Sequence, residues 1–133
     1  MKLKFCFLAI SILAMASCSA KEIKNANDPG FVVSDLKVTG QMENLNRYPC
    51  TKPTKADLKK ILETGNWVSN EQLHDHYSFT GCSIDGTVNL NGRTTPFKFD
   101  FGGIFEFPGL HKTLACGESC CDASFEFCSF DTK

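Results

Sequence analysis

The sequence predicts a small α+β domain in which an antiparallel β-meander of four to five strands packs against one helix and is held by disulfides. Three observations predict this class. Two alternating runs flank Asn91-Gly92, an amphipathic segment with a capping residue spans about residues 54–65, and eight cysteines occur in 133 residues. A chain of this length forms one domain at most.

The hairpin between residues 79 and 101 is the centre of the predicted sheet. Asn-Gly favours a two-residue type I′ turn, since both central residues need a positive φ. Such a turn pairs Leu90 with Arg93 and thereby sets the register of both strands. The pairs on the same face are then Val88 with Thr95, Gly86 with Phe97, Ile84 with Phe99 and Cys82 with Phe101. This face is apolar and is expected to form the core.

The opposite face of the hairpin is polar, and the alternation predicts that it is solvated. Its residues are Ser83, Asp85, Thr87, Asn89, Thr94, Pro96, Lys98 and Asp100. Asp85 faces Lys98 in this register, which predicts a surface charge pair. Asp85 and Asp100 are diagonal neighbours, so they do not form a directly facing acid–base pair.

A third strand and a helix complete the predicted layers. After a bend at Gly102-Gly103, the third strand is expected to carry Phe105 and Phe107 into the same core. A helix over residues 55–64 follows Thr54, a favoured N-cap residue. The apolar stripe of this helix contains Leu58, Ile61 and Leu62.

The remaining segments have weaker patterns. Residues 31–38 predict a first strand. Residues 41–53 predict a loop that contains Cys50. Gly65 is expected to end the helix as a C′ glycine. The Trp67 side chain is expected to pack between the helix and the sheet. A last strand is expected around Phe125 and Phe127. A solvated helical face is predicted for Lys52, Lys55, Lys59 and Lys60.

The first 17 residues predict an export signal, because a charged start precedes an apolar run from Phe5 to Ala16 that is too short to span a membrane. The run ends in Met15-Ala16-Ser17-Cys18, which resembles the lipobox of bacterial lipoproteins. This resemblance covers the export segment alone. It implies cleavage before Cys18 and attachment of lipid to that cysteine. Ordinary signal cleavage after Ala16 or Ala20 is the alternative.

A lipid on Cys18 would anchor the chain to a membrane. Residues 18–30 are then expected to form a polar tether and residues 31–133 a single domain. Ser19, the residue after the lipidated cysteine, suggests sorting to the outer membrane. The expected location is therefore the periplasmic side of the outer membrane. The alternative is a soluble periplasmic or secreted protein. The formal net charge of the whole chain is −1, which gives no indication of a nucleic-acid partner.

Six cysteines remain outside the signal and the lipidation position, and an even number in an oxidising compartment predicts three disulfides. They are Cys50, Cys82, Cys116, Cys120, Cys121 and Cys128. Adjacent Cys120 and Cys121 are expected to have separate partners, because a bridge between them would be strained. The simplest arrangement links the C-terminal cluster to Cys82 in the hairpin and to Cys50 near the helix.

Two clusters contain the residue types of a metal site. His74 and His76 would point the same way in a strand and could ligate zinc, yet no third ligand follows at motif spacing. The second cluster is Cys116, Cys120, Cys121 and Cys128 with His111. Exported thiols oxidise, so disulfides are favoured over zinc in this cluster. The sequence therefore predicts neither a metal nor another cofactor.

Catalytic motifs are not found in the sequence, which contains no GxSxG pattern and no serine beside a histidine with an orienting acid. We therefore expect a non-catalytic envelope lipoprotein that binds another protein, in its sharpest form an immunity-type inhibitor that blocks a toxin entering the periplasm. The alternatives are a structural or assembly accessory lipoprotein of an envelope complex and a metal-dependent enzyme that uses His74 and His76. The available binding surfaces are the polar sheet face, the lysine-bearing helix face and an acidic tail with Glu118, Asp122, Glu126 and Asp131.

Overall fold

A computed structural model describes residues 32–47 and 49–131. This part of the chain forms a seven-stranded antiparallel sheet with two α-helices. The strands are β1 (Val33–Val38), β2 (Glu43–Asn44), β3 (Asn66–Val68), β4 (Cys82–Leu90), β5 (Arg93–Asp100), β6 (Ile104–Phe107) and β7 (Lys112–Ala115). The helices are α1 (Lys55–Thr64) and α2 (Asn70–His76), and a short 3₁₀ turn, Pro108–Leu110, precedes β7. Neither α-helix is long and apolar enough to cross a membrane.

The α+β class with disulfides is confirmed, whereas the predicted numbers of strands and helices are wrong. The unpredicted strands β2 and β3 contain two and three residues, too few for an alternating pattern to be recognised. The predicted signal peptide, the lipid attachment at Cys18 and the tether lie outside the described residues.

The sheet follows the order β1-β4-β5-β6-β7-β3, and β2 pairs with β4 beyond the end of β1. The four strands from β4 to β7 are consecutive neighbours, so the predicted meander forms the middle of the sheet. The predicted first strand is present but irregular, since its register shifts between Ser34 and Lys37 and Asp35 has a φ of 49°. This bulge explains why its core-facing side is ambiguous in the sequence.

The hairpin register is confirmed at every predicted pair from Leu90 with Arg93 to Ile84 with Phe99. Asn91 and Gly92 have φ values of 52° and 87°, as a type I′ turn requires. At the far end, the Phe101 N–H donates to the Cys82 carbonyl over 2.9 Å.

Gly86 lies beneath the ring of Phe97, as the register predicts. A Cβ at position 86 would be 2.5 Å from Cζ of Phe97 and would also collide with the Lys37 carbonyl oxygen of β1. Glycine is therefore required here because the ring and the neighbouring strand both lie against its backbone.

The core lies between α1 and one face of the sheet. Leu58, Ile61 and Leu62 of α1 are fully buried, and the helix begins with a capping box between Thr54 and Asp57. The sheet contributes Phe97, Phe99, Phe101, Phe105, Phe107 and Leu114.

Glycine is needed at position 65, where α1 ends, because a side chain would not fit there and not because the backbone has a left-handed conformation. Its φ of −71° and ψ of 173° are extended, so it lacks the left-handed conformation typical of C′ glycines. A Cβ would lie 2.6 Å from the Ile61 carbonyl oxygen and 2.7 Å from Cδ2 of Leu114. The glycine therefore lets the helix end approach β7.

Trp67 belongs to β3, at the edge of the sheet, and pairs with Leu114. Its ring makes an edge contact with Phe107, with 5.7 Å between ring centroids. The side chain thus extends the core at the sheet edge. The predicted last strand around Phe125 and Phe127 is wrong, because residues 116–131 form turns and loops.

Candidate binding groove

An apolar groove of about 470 Å³ lies at the end of the sheet where β4 begins. Its described lining residues are Asn46, Pro49, Cys50, Thr51, Phe79, Thr80, Cys82, Phe101, Glu126 and Phe127. Three segments thus converge there on the adjoining ends of β4 and β5: the loop between β2 and α1, the segment after α2, and the C-terminal tail.

Two buried rings form the floor of the groove. Phe101 and Phe127 are 6% and 5% exposed, and their ring planes meet at 89° with 5.9 Å between centroids. The disulfide between Cys50 and Cys82 lies beside them and joins the loop to the first residue of β4. The floor is therefore rigid and apolar.

The rim of the groove is partly apolar and exposed. Phe79 is 52% exposed and Leu45, in the neighbouring loop, is 77% exposed. Leu45 is held near the rim because its N–H donates to the Gly81 carbonyl over 3.0 Å. Asn46 Nδ2 donates to the Thr80 carbonyl over 3.0 Å. This bond joins the loop between β2 and α1 to the segment after α2 at the side of the groove.

A buried carboxylate fastens the segment that contains the rim. Asp100, predicted to be solvated, is 7% exposed. Its Oδ1 accepts from the Thr80 N–H (2.9 Å), the Thr80 hydroxyl (3.2 Å) and the Gly102 N–H (2.8 Å). Its Oδ2 accepts from the Gly81 N–H over 3.3 Å. The alternation placed Asp100 on the outer face correctly, but the segment after α2 covers that end of the face.

The six described cysteines form three disulfides, Cys50–Cys82, Cys116–Cys120 and Cys121–Cys128. Cys120 and Cys121 have separate partners, as predicted. The predicted links from the C-terminal cluster to Cys82 and Cys50 are wrong, because the tail closes two short loops within itself. The spacing of cysteines along a chain does not determine which of them meet in space.

The histidine pair belongs to α2 and not to a strand. Positions two apart on a helix point in different directions, so the geometry on which a shared zinc site depended is wrong. His74 Nδ1 lies 3.0 Å from the Asp75 carboxylate, and His76 Nδ1 lies 3.0 Å from the Asp131 carbonyl oxygen. A second residue of the C-terminal tail also lies near His76, since the centroid of the Phe130 ring is 6.0 Å from that of the His76 ring.

The charged residues of the outer sheet face pair differently from the prediction. Asp85 and Lys98 are register partners, but the Lys98 ammonium lies 3.5 Å from the Glu43 carboxylate of β2. β2 was predicted as part of a loop, so this partner was missed. The pair is exposed and contributes little stability.

The predicted solvated lysine face is also partly occupied. Lys60 lies 3.0 Å from the Asp122 carboxylate and 3.9 Å from the centroid of the Phe125 ring, so it connects α1 to the tail. Hydrogen bonds from Ser124, and then the bond from Lys60, lower the pKa of Asp122 to about 2. Lys52, Lys55 and Lys59 are exposed, as predicted.

The only group of three or more potential metal ligands within the described residues is Cys116, Cys121 and Cys128. All three are disulfide-bonded, so their sulfurs offer no thiolate to a metal in this state.

Within residues 32–47 and 49–131, the fold is a small antiparallel sheet with two α-helices and three disulfides. The chain matches no protein-family model, no curated protein and no solved structure.

Proposed function

We propose that this chain is a non-catalytic lipoprotein of the bacterial envelope that binds another protein through the apolar groove. The most specific version of this proposal is that the chain is an immunity-type inhibitor, which blocks a toxin that enters the periplasm. The export signal and the lipobox-like segment before Cys18 support the location. A short tether and a small disulfide-bonded domain suit the occlusion of another protein's active site.

The observation that carries this proposal is the half-exposed ring of Phe79 at the rim of a rigid apolar floor. Exposed apolar side chains beside a preformed pocket are typical of interaction sites. Aromatic anchors at such places contribute most of the binding free energy in many interfaces.

The charge of the groove indicates what kind of partner it fits. Glu126 is the charged residue among its described lining residues, and its carboxylate is exposed. We therefore expect the partner to place an apolar side chain over the floor and a lysine or arginine next to it, opposite Glu126.

The contribution of Phe79 to binding can be calculated from its exposure. The side chain is 52% exposed, so complete burial removes about 100 Å² from water, which is worth about 2.5 kcal/mol. Phe79→Ala is therefore expected to raise the Kd of the partner about 60-fold. Glu126→Lys is expected to slow association, because it places like charges together.

Affinity capture from solubilised envelope, read by mass spectrometry, tests the proposal. The bait is the full chain in detergent, as wild type, Phe79→Ala or Val32→Ala. Val32 is 57% exposed and lies at the opposite end of β4, beside Asn91, so it is a matched control.

The inhibitor function predicts one dominant exported toxin or hydrolase that is lost with Phe79→Ala and kept with Val32→Ala. A set of envelope-machine subunits with the same dependence would favour the assembly alternative. Partners that bind all three baits equally would contradict the groove as the binding site.

A further inference from the structure

The two disulfides of the C-terminal tail lie side by side. Cys116–Cys120 and Cys121–Cys128 are separate bridges, yet Sγ of Cys121 lies 3.8 Å from Sγ of Cys116. The sulfurs of Cys116, Cys121 and Cys128 all lie within 4.8 Å of one another. A sulfur of one bridge is thus in van der Waals contact with a sulfur of the other.

The local fold explains this contact. The Cys116 N–H donates to the Gly103 carbonyl over 2.8 Å, which fixes the start of the tail against the sheet. A tight turn follows, because the N–H groups of Cys120 and Cys121 both donate to the Gly117 carbonyl, over 3.0 and 2.8 Å. The turn brings Cys121 back to Cys116, so that its sulfur also lies 3.3 Å from the Cys116 carbonyl oxygen.

The two bridges differ in their access to solvent. Cys116 and Cys120 are 0% and 2% exposed, whereas Cys121 and Cys128 are partly exposed. The outer bridge, Cys121–Cys128, is therefore more accessible to a thiol in solution than the inner bridge, Cys116–Cys120. The inner bridge has a sulfur of the outer bridge as its close neighbour.

We propose that these four cysteines form a thiol–disulfide exchange site that accepts an external dithiol at the outer bridge and transfers the exchange to the inner one. A thiolate of the dithiol attacks Sγ of Cys128, the bond to Cys121 breaks, and Cys121 leaves as a thiolate. The second thiol of the dithiol then displaces Cys128, which takes up a proton as the dithiol becomes a disulfide.

The released Cys121 thiolate is already next to its second target. It attacks Sγ of Cys116, the bond between Cys116 and Cys120 breaks, and Cys120 leaves as a thiolate that takes a proton from water. The product has a Cys116–Cys121 bridge with Cys120 and Cys128 as thiols. The number of electrons is balanced, since one dithiol is oxidised and one of the two bridges is reduced.

The second step exchanges one short loop for another of nearly equal length. The bridge moves from a sequence separation of 4 to one of five residues, and loop-closure entropy changes slowly with length. We therefore expect both bridge isomers to be populated, each in at least about a tenth of the molecules, because neither loop has a large entropic advantage.

The test uses wild-type protein treated with less than one equivalent of dithiothreitol, quenched in acid, alkylated and mapped by fragmentation mass spectrometry. The proposal predicts label on Cys128 throughout the first reduced species, with the second label on Cys120 in at least about a tenth of it and on Cys121 in the remainder. Label confined to Cys121 and Cys128 would show that the outer bridge opens without transfer and would overturn the proposal.

The variant Cys128→Ser provides a second test that needs no reductant. It leaves Cys121 as a thiol beside the intact inner bridge, and label on Cys120 in at least about a tenth of the molecules at pH 8 is expected. The control is Cys82→Ser, which leaves Cys50 as the free thiol and should label Cys50 alone. Label restricted to Cys121 in the Cys128→Ser protein would contradict the transfer.

Discussion

Asp100 is predicted to be the side chain that holds the rim of the groove in place. Removing it by Asp100→Ala abolishes four hydrogen bonds, three of them from backbone N–H groups of Thr80, Gly81 and Gly102. A buried donor left without a partner costs about 1–3 kcal/mol, and N–H groups near the surface recover part of this with water. We therefore expect the free energy of unfolding to fall by about 3–4 kcal/mol.

The milder change Asp100→Asn tests the same geometry. An asparagine oxygen at the Oδ1 position keeps the bonds from Thr80 and Gly102, and its amide group faces the Gly81 N–H in place of Oδ2. The free energy of unfolding is then expected to fall by about 1–2 kcal/mol. The long hydrogen bond from the Gly81 N–H to Oδ2 is lost, and two donors, the Gly81 N–H and the asparagine amide N–H, face each other in its place.

Urea unfolding followed by tryptophan fluorescence measures both variants, with Asp85→Asn as the control. Asp85 is exposed on the same face, so its variant should be within about 0.5 kcal/mol of the wild type. Loss of less than about 1 kcal/mol in Asp100→Ala would refute the assignment of Asp100 as a structural anchor, as would equal losses in Asp100→Ala and Asp85→Asn.

Two further predictions concern the sheet and the tail. Gly86→Ala should destabilise the fold by about 2–3 kcal/mol, since its Cβ would overlap the Phe97 ring and the neighbouring strand; an unchanged urea midpoint would contradict the predicted close packing. Asp122 has a pKa lowered to about 2 by Ser124 and then by Lys60, so its contribution to stability is complete above about pH 4 and is lost as the pH falls toward 2. Urea midpoints across this pH range should therefore decline less in Asp122→Asn than in the wild type, and parallel declines would contradict the contacts of Asp122 with Ser124 and Lys60.

The hairpin and α1 were predictable because local chemistry determines them. Asn91-Gly92 selects one turn type, and that turn sets the register of both strands. Thr54 and Asp57 mark the start of α1 by a capping box, and no distant contact is needed to recognise it.

α2 was missed because it has no buried residue and hence no apolar periodicity. Its signal lies in the cap: the Ser69 side chain accepts from the Gln72 N–H, and the Gln72 side chain accepts from the Ser69 N–H. A Ser-x-x-Gln pattern is a capping box, so this helix could have been found from its first residues.

The groove and the disulfide pairing could not be read from local patterns. Phe79 looks like any apolar residue before a strand, and the groove beside it is formed together with a loop more than 30 residues earlier in the chain. The position of Asp100 indicates the outer face, but its burial depends on the segment after α2, whose Thr80 and Gly81 N–H groups donate to its carboxylate. Such long-range contacts leave no periodic signal in the sequence.

Site-specific photo-cross-linking in the producing cell tests most directly whether the groove binds a protein. A photoreactive amino acid replaces Phe79 in one full-length protein and Val32 in another. We predict that position 79 yields one discrete cross-linked partner, that position 32 does not, and that Glu126→Lys weakens the product. Cross-links of equal pattern and yield from both positions, or none from position 79 in a folded protein, would contradict the groove as the binding surface.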